Sequence, residues 1–241
     1  MNNILEIYNL SKNYNTTKAL NNLTFNVKEG SFVALVGPTG SGKSTLLNII
    51  SGIDKDYQGT IKILTDANNI GYMLQQDALL PWLNIIDNAS IGLKFKKIKN
   101  NNYPLKLLKK YDLNNFIYKY PNELSGGMKQ RCALIRTLSL NPTLLLLDEP
   151  FSQLDYQTRL MVENDIYKII KKEKKTAIIV THDIEEAIAM ADTVITLSKR
   201  PATIKNIYHI ELVNKDTPLN NRRDPNFNKY FNLIWKDLID E

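Results

Sequence analysis

The 241-residue chain has one cysteine, two histidines and two tryptophans. A single thiol, Cys132, excludes any disulfide framework within the chain and fits a reducing compartment. Cys132 follows a Ser-Gly-Gly turn in a stretch that can form a helix, so we expect a small buried hydrophobe there. Long apolar runs are missing too. A bilayer span takes about 20 mostly apolar residues, and the purest run here is Leu144 to Leu147. The chain is therefore expected not to cross a membrane on its own. The opening MNNILEIYNL has no basic segment leading into an apolar run, so no signal peptide is expected. No internal repeat or low-complexity linker is found.

What is present is an ordinary globular composition, 43% hydrophobic and 23% charged, with a net charge of +6. A basic balance can favour anionic partners such as nucleic acid or a membrane surface. Here the lysines lie along helical stretches (KFKKIK, LKLLKK, KKEKK) near acidic residues, and we read them as solvated faces. No nucleic-acid partner is expected.

Alternation of apolar and polar residues predicts half-buried strands at 4–8 and 23–27. SFVALVG (31–37) is a continuous apolar run ending at glycine, as a buried parallel strand does. A helix is predicted from about Lys43, and strands at 59–64 and 70–74. From about 77 to 140 the apolar spacing turns helical, punctuated by Pro81, Pro104 and Pro121, which predicts an inserted helical subdomain. Within it a helix spans about 126–139. Beyond it the pattern gives strand 143–148, helix 156–173, strand 176–181, helix 183–190 capped by Asp183, and strands 193–198 and 203–210. The tail, about 224–241, places Phe227, Phe231, Ile234 and Leu238 on one helical face. Packing onto the body is expected, with partner binding as the alternative. Strands alternating with helices imply an α/β class.

GPTGSGKST fits the phosphate-loop pattern at every fixed position, between a strand and a helix. Gly37, Pro38, Thr39, Gly40, Ser41, Gly42 and Thr45 form the loop and the helix start. Lys43 would reach the β- and γ-phosphates of a nucleotide, and Ser44 would ligate Mg²⁺. LLLLDEP ends a buried strand with two carboxylates. Asp148 is expected to hold Mg²⁺. Strand alternation would turn Glu149 to the opposite side, as general base for water attacking the γ-phosphate. His182 ends another strand and is expected near Glu149. Gln75, ending GYMLQ, could touch Mg²⁺ or the attacking water, with Gln76 as the rival assignment. His209 receives no role.

LSGGMKQR (124–131) is a second glycine-paired turn feeding a helix, built to hold phosphate. A helical stretch separates Ser125, Gly126 and Gly127 from Lys43. If that stretch projects from the core, the turn cannot fold back onto its own nucleotide, but it can reach one bound by a second copy. Two grips in one chain then mean two shared sites in a head-to-tail dimer.

GPTGSGKST, LSGGMKQR, LLLLDEP and VTHD stand in the order and approximate spacing of ABC-transporter ATPase subunits. Over residues 4–210 the chain resembles that family. The resemblance implies a P-loop NTPase fold in a single ATP-binding domain over 1–241, with a RecA-like mixed sheet core, an antiparallel β subdomain and the inserted helical signature subdomain. It implies ATP and Mg²⁺ as ligands and ATP hydrolysis coupled to transport. Tyr14 resembles the aromatic that stacks on adenine, with Tyr8 as second candidate. Gln75 resembles the Q-loop glutamine. SQLD resembles the D-loop, with Asp155 bridging the two subunits. Gln153 stands where the family more often has alanine, and Met128 where many signatures have glutamine.

LLPWLNIIDN, LSGGMKQR, DEPFSQLD and LSKRPATI together resemble the nitrate, sulfonate and taurine importers, a group that also includes transporters of pyrimidine vitamin precursors. That likeness implies a membrane permease docking near Gln75–Ile86, with Leu79 and Ile85 inward and Trp82 toward the partner. It also implies an external solute-binding protein, acting indirectly, and a place on the cytoplasmic face of a bacterial membrane. Two other readings remain: a soluble ABC ATPase acting on nucleic acid or the ribosome, and an exporter ATPase.

Overall fold

The computed structural model describes residues 2–64, 69–75, 78–98 and 102–239. Two sheets organise it. The first is antiparallel and three-stranded, in the order β2 (Thr17–Lys28), β1 (Asn3–Tyr14), β4 (Gln58–Ile63). The second has six strands, in the order β5 (Ile70–Met73), β6 (Leu144–Asp148), β7 (Thr176–Thr181), β3 (Phe32–Val36), β8 (Thr193–Leu197), β9 (Ile204–His209). Strands β5, β6, β7, β3 and β8 run parallel, and β9 closes the edge antiparallel to β8.

β3, β6 and β7 are buried on both faces, so they read as unbroken apolar runs rather than alternations. One face packs Val33, Leu35, Leu144, Leu146, Ile178 and Val180 against α1 (Lys43–Ile50) and the antiparallel sheet. The other face packs Ala34, Val36, Leu145, Leu147 and Ile179 against the remaining helices. These are α2 (Ile85–Phe95), α3 (Tyr103–Lys110), α4 (Gly126–Leu138), α5 (Tyr156–Lys172), α6 (Ile184–Met190), the short α7 (Pro218–Asn221) and α8 (Phe227–Ile239). Leu79, Ile85, Leu107 and Leu134 belong to this same buried cluster. The inserted helices thus share the core of the sheet and do not form a separately cored body.

The first two strands are 12 residues each, against the five the alternation predicts. Their register slips between Ile7 and Leu10, and again between Leu10 and Lys12. Asn9 and Asn22 take left-handed φ of 52° and 54° there. A bulge of this kind switches which face the next residues present, so a two-residue period stops being visible at that point.

Cys132 is fully buried as a small hydrophobe. In the tail, Phe227 and Ile234 are buried, and Phe231 and Leu238 pack against the core at its margin. Asp237 fastens α8 to the sheet edge, accepting from Thr196 Oγ1 at 2.8 Å and Tyr208 OH at 2.7 Å. Among the described residues no helix is long and apolar enough to cross a membrane.

Candidate active site

In a parallel sheet the carboxyl ends of the strands form one edge, and ligand sites gather there. Gly37 follows β3, Asp148 ends β6, His182 follows β7 and Gln75 follows β5. The pairing keeps them level: Val36 is opposite Thr181, and Asp148 is opposite Val180.

The phosphate loop curls from β3 into α1. Its cap residue, Gly42, has φ 101°, a conformation side chains disfavour, and a Cβ there would lie 2.8 Å from Leu20 Cδ2. The Lys43 ammonium is buried inside the loop and donates to the carbonyls of Gly37 and Pro38, both at 2.8 Å. Burial pushes its pKa down from the ordinary lysine value, while the Glu149 and Asp148 carboxylates oppose that shift. The next residue turns outward. Ser44 Oγ donates to Asp148 Oδ1 at 3.1 Å.

The single Tyr72 hydroxyl proton lies between two acceptors, Asp148 Oδ2 at 3.2 Å and Asn48 Oδ1 at 3.1 Å. Burial raises the Asp148 carboxyl above its usual range; the bonds from Ser44 and Tyr72 pull it back, and Glu149 adds to the rise. β6 ends at Asp148, so strand alternation does not aim Glu149, contrary to the sequence expectation. Its backbone instead takes a left-handed φ of 42°, held by a bond from its N–H to Val180 O. Strain of this kind at a non-glycine residue costs of the order of 1 kcal/mol and concentrates at functional sites. The turn brings Glu149 Oε2 to 3.2 Å from Gln75 Nε2 and 3.3 Å from His182 Nδ1. Gln76 lies outside the described residues.

Lys43, Ser44, Asp148, Glu149, Gln75 and His182 are therefore brought together. The remaining expected residues have other surroundings. Ser125 caps α4, its side chain accepting from Met128 N at 3.4 Å, and stays exposed with Gly126. A Cβ on Gly126 would meet Leu154 Cδ2 at 2.9 Å, and one on Gly127 would meet Val162 Cγ2 at 2.7 Å. The glycines thus let the signature turn lie against the SQLD segment and α5. Asp155 is exposed and caps α5 through Thr158 N at 3.0 Å; that bond holds its carboxyl below the usual range. Tyr14 ends β1 with its hydroxyl donating to Asp54 at 3.0 Å, and Lys12 Nζ lies 4.6 Å from its ring centre. Tyr8 donates to Glu6. Leu79 and Ile85 are buried, whereas Trp82 is 70% exposed.

Tyr72 and Asn48 were not foreseen. Tyr72 sits three residues before Gln75 on β5, and that spacing was the only sequence signal for it. The oxygen pair of Ser44 and Asp148 suits Mg²⁺, a hard ion that keeps waters and phosphate oxygens among its ligands. No group of three or more His, Cys, Asp or Glu among the described residues forms a metal cage by itself, as such a site would not need. Lys43, the loop N–H groups and the start of α1 suit phosphate.

Residues 20–152 match the family model described as ABC transporter. The chain is 46% identical to the uncharacterized ABC transporter ATP-binding protein YtlC of Bacillus subtilis, covering 92% of this chain and 89% of that one. It is 38% identical to the aliphatic sulfonates import ATP-binding protein SsuB of Bacillus cereus, covering 84% and 82%. It is also 38% identical to the nitrate import ATP-binding protein NrtD of Synechocystis, covering 90% and 86%. Among solved structures it resembles the ATP-binding cassette MJ0796 in a dimeric post-hydrolysis state bound to ADP and Pi. The TM-score is 0.73 at 33% identity, covering 86% of this chain and 99% of that one. The chain belongs to the ABC transporter family, as one of its ATP-binding, ATP-hydrolysing subunits.

Proposed function

We propose that this subunit powers import of a small solute of the sulfonate or nitrate class, from the cytoplasmic face of the membrane, as a head-to-tail dimer. The observation that carries the dimer is the position of the signature turn. Ser125 and Gly126 are exposed, with Gly126 against Leu154, and neither has a contact to its own phosphate loop among the described hydrogen bonds. A second copy would offer Ser125, Gly126 and Gly127 to the nucleotide held by Lys43. The dimeric state of the related cassette supports this arrangement. Tyr14 is assigned to the adenine ring, which its ring face would stack upon while the hydroxyl stays bonded to Asp54.

In this reading Lys43 and the loop N–H groups hold the ATP phosphates, and Ser44 and Asp148 hold Mg²⁺. Bound there, Mg²⁺ supplies charge neutralisation on the phosphoryl oxygens. The Glu149 carboxylate takes the proton of the attacking water, with Gln75 and His182 fixing its orientation. The membrane partner would dock beside Gln75–Ile86, where Trp82 is exposed while Leu79 and Ile85 are buried. A solute-binding protein outside the cell would act through that partner.

The solute class rests on the printed activities of the relatives and on the LSKRPATI and LLPWLNIIDN segments. The test is a tagged pull-down from detergent-solubilised native membranes, read by mass spectrometry. A polytopic membrane protein in stoichiometric amount is expected, and its solute-binding protein can then be screened with sulfonates, nitrate and pyrimidine compounds. Recovery of ribosomal or nucleic-acid partners without a membrane protein would remove the importer reading and leave the ATPase chemistry intact.

A further inference from the structure

The turn after β8 touches the phosphate loop from outside. Arg200 Nε and Nη2 both donate to the Gly40 carbonyl, at 3.1 and 2.9 Å. These residues are 160 positions apart. The turn that carries Arg200 is itself fixed. Ser198 N donates to Thr203 O at 3.0 Å, and Thr203 N returns a bond to Ser198 Oγ at 2.9 Å. The buried Ala202 donates to Ala19 O at 2.9 Å and accepts from Asn21 N at 2.8 Å. Ala19 and Leu20 also border Gly42 of the phosphate loop. One stretch of β2 thus supports the loop and the turn together, and Arg200 closes the gap between them.

The bonded carbonyl belongs to a peptide whose other end matters. In a trans peptide the C=O and the following N–H point in opposite directions. With Gly40 O held outward by the guanidinium, the Ser41 N–H is turned inward, where it donates to Pro38 O at 3.2 Å. Pro38 O is also the acceptor for the Lys43 ammonium at 2.8 Å, so the Ser41 N–H and the lysine converge on one carbonyl. Phosphate loops hold their ligand with such inward N–H groups. A cation on the carbonyl end also polarises the peptide, which strengthens its N–H as a donor.

We propose that Arg200 is a positioning residue for nucleotide binding: by gripping Gly40 O from outside, it presets the Ser41 N–H toward the phosphates. Arginine suits the task because its planar fork supplies two donors to one oxygen; lysine supplies a single point charge. The proposal rests on the phosphate loop being the ATP site, and the experiment separates the two.

The full chain is titrated with ADP and with a non-hydrolysable ATP analogue, as wild type, Arg200→Ala, Arg200→Lys and Lys43→Ala. Arg200→Ala is expected to weaken both nucleotides by about fivefold, the effect of a charge-assisted hydrogen bond at an exposed site. Arg200→Lys should recover part of the loss. In turnover the change should fall on the KM for ATP more than on kcat. The melting temperature without nucleotide should stay close to wild type, since Arg200 is exposed. Unchanged affinity in Arg200→Ala, with binding lost in Lys43→Ala, overturns the proposal while the site reading stands. A loss confined to the triphosphate also overturns it, because Arg200 would then act on the γ-phosphate directly. Wild-type affinity in Lys43→Ala would remove both.

Discussion

Ser44 Oγ donates to Asp148 Oδ1 at 3.1 Å across 104 positions of sequence. The bond joins the start of α1 to the end of β6 and sets two oxygens side by side next to the phosphate loop. Asp148→Asn keeps an acceptor for Ser44 and removes the anionic charge. We expect nucleotide binding in EDTA to persist, the gain in affinity on adding Mg²⁺ to vanish, and turnover to fall by about 100-fold or more. Titration with and without Mg²⁺ is the check; a preserved Mg²⁺ effect would remove Asp148 from the ion's surroundings.

Tyr72 gives a pH-dependent prediction at the same carboxylate. Its bond to Oδ2 favours the ionised form of Asp148 and offsets part of the rise caused by burial. Tyr72→Phe removes that bond, so Asp148 must titrate at higher pH than in the wild type. The active form is the carboxylate, and therefore the acid limb of the kcat/KM profile should move upward. Activity on that acid limb should fall, with the alkaline plateau preserved. A uniform drop at all pH values would instead indicate a packing role beside Asn48.

Glu149 meets Gln75 and His182 through the same oxygen, Oε2. Glu149→Gln keeps an acceptor for the Gln75 amide but cannot take a proton from water. Turnover should fall by at least about 100-fold while ATP still binds. Saturating ATP should then drive the variant into a dimer visible by light scattering. A variant that stays monomeric at high protein concentration would sink the shared-site arrangement.

The motifs were legible because each is a run of neighbouring residues, at the end of a strand or, for LSGGMKQR, at the start of a helix. GPTGSGKST and LLLLDEP need only a buried strand before them, and the unbroken apolar runs supplied it. Contacts made between distant segments were not legible. Arg200 reached Gly40 only through the path of β8 and its turn, and LSKRPATI stood in the sequence as a family mark without a role. Glu149 was placed near the site for the wrong reason, since the left-handed turn at its own backbone aims it, and a chain of letters carries no φ. The bulges at Asn9 and Asn22 hid more than half of β1 and β2 by changing the phase of the alternation. Asp155 and Tyr14 were assigned by resemblance alone, and both have local partners, Thr158 N and Asp54, that no spacing announced.

Behind the His182 segment lies a buried carboxyl whose charge the fold opposes. Glu186, on α6, is 4% exposed, and its Oε1 has no hydrogen-bond partner. Burial raises its pKa well above 4.5, and the negative charges of Glu163 and Asp183 add to the rise; the Thr181 hydroxyl and Arg222 oppose it. Glu163 is itself buried and bonded by Arg222 at 2.6 Å, while Arg159 bonds Asp183 at 3.2 Å, so the nearby cations are already engaged. A carboxyl raised on folding stabilises the protein fully below its unfolded pKa, and that contribution is lost as pH rises through the folded value. Glu186→Gln fixes the neutral form. The variant should therefore match the wild type near pH 4.5 and exceed it increasingly at higher pH, with a gain in melting temperature of about 3 °C at pH 8. Scanning calorimetry from pH 5 to pH 8 measures the widening gap. A melting temperature lowered only above about pH 5, with the deficit gone at more acid pH, would show instead that the native fold holds Glu186 as a paired anion.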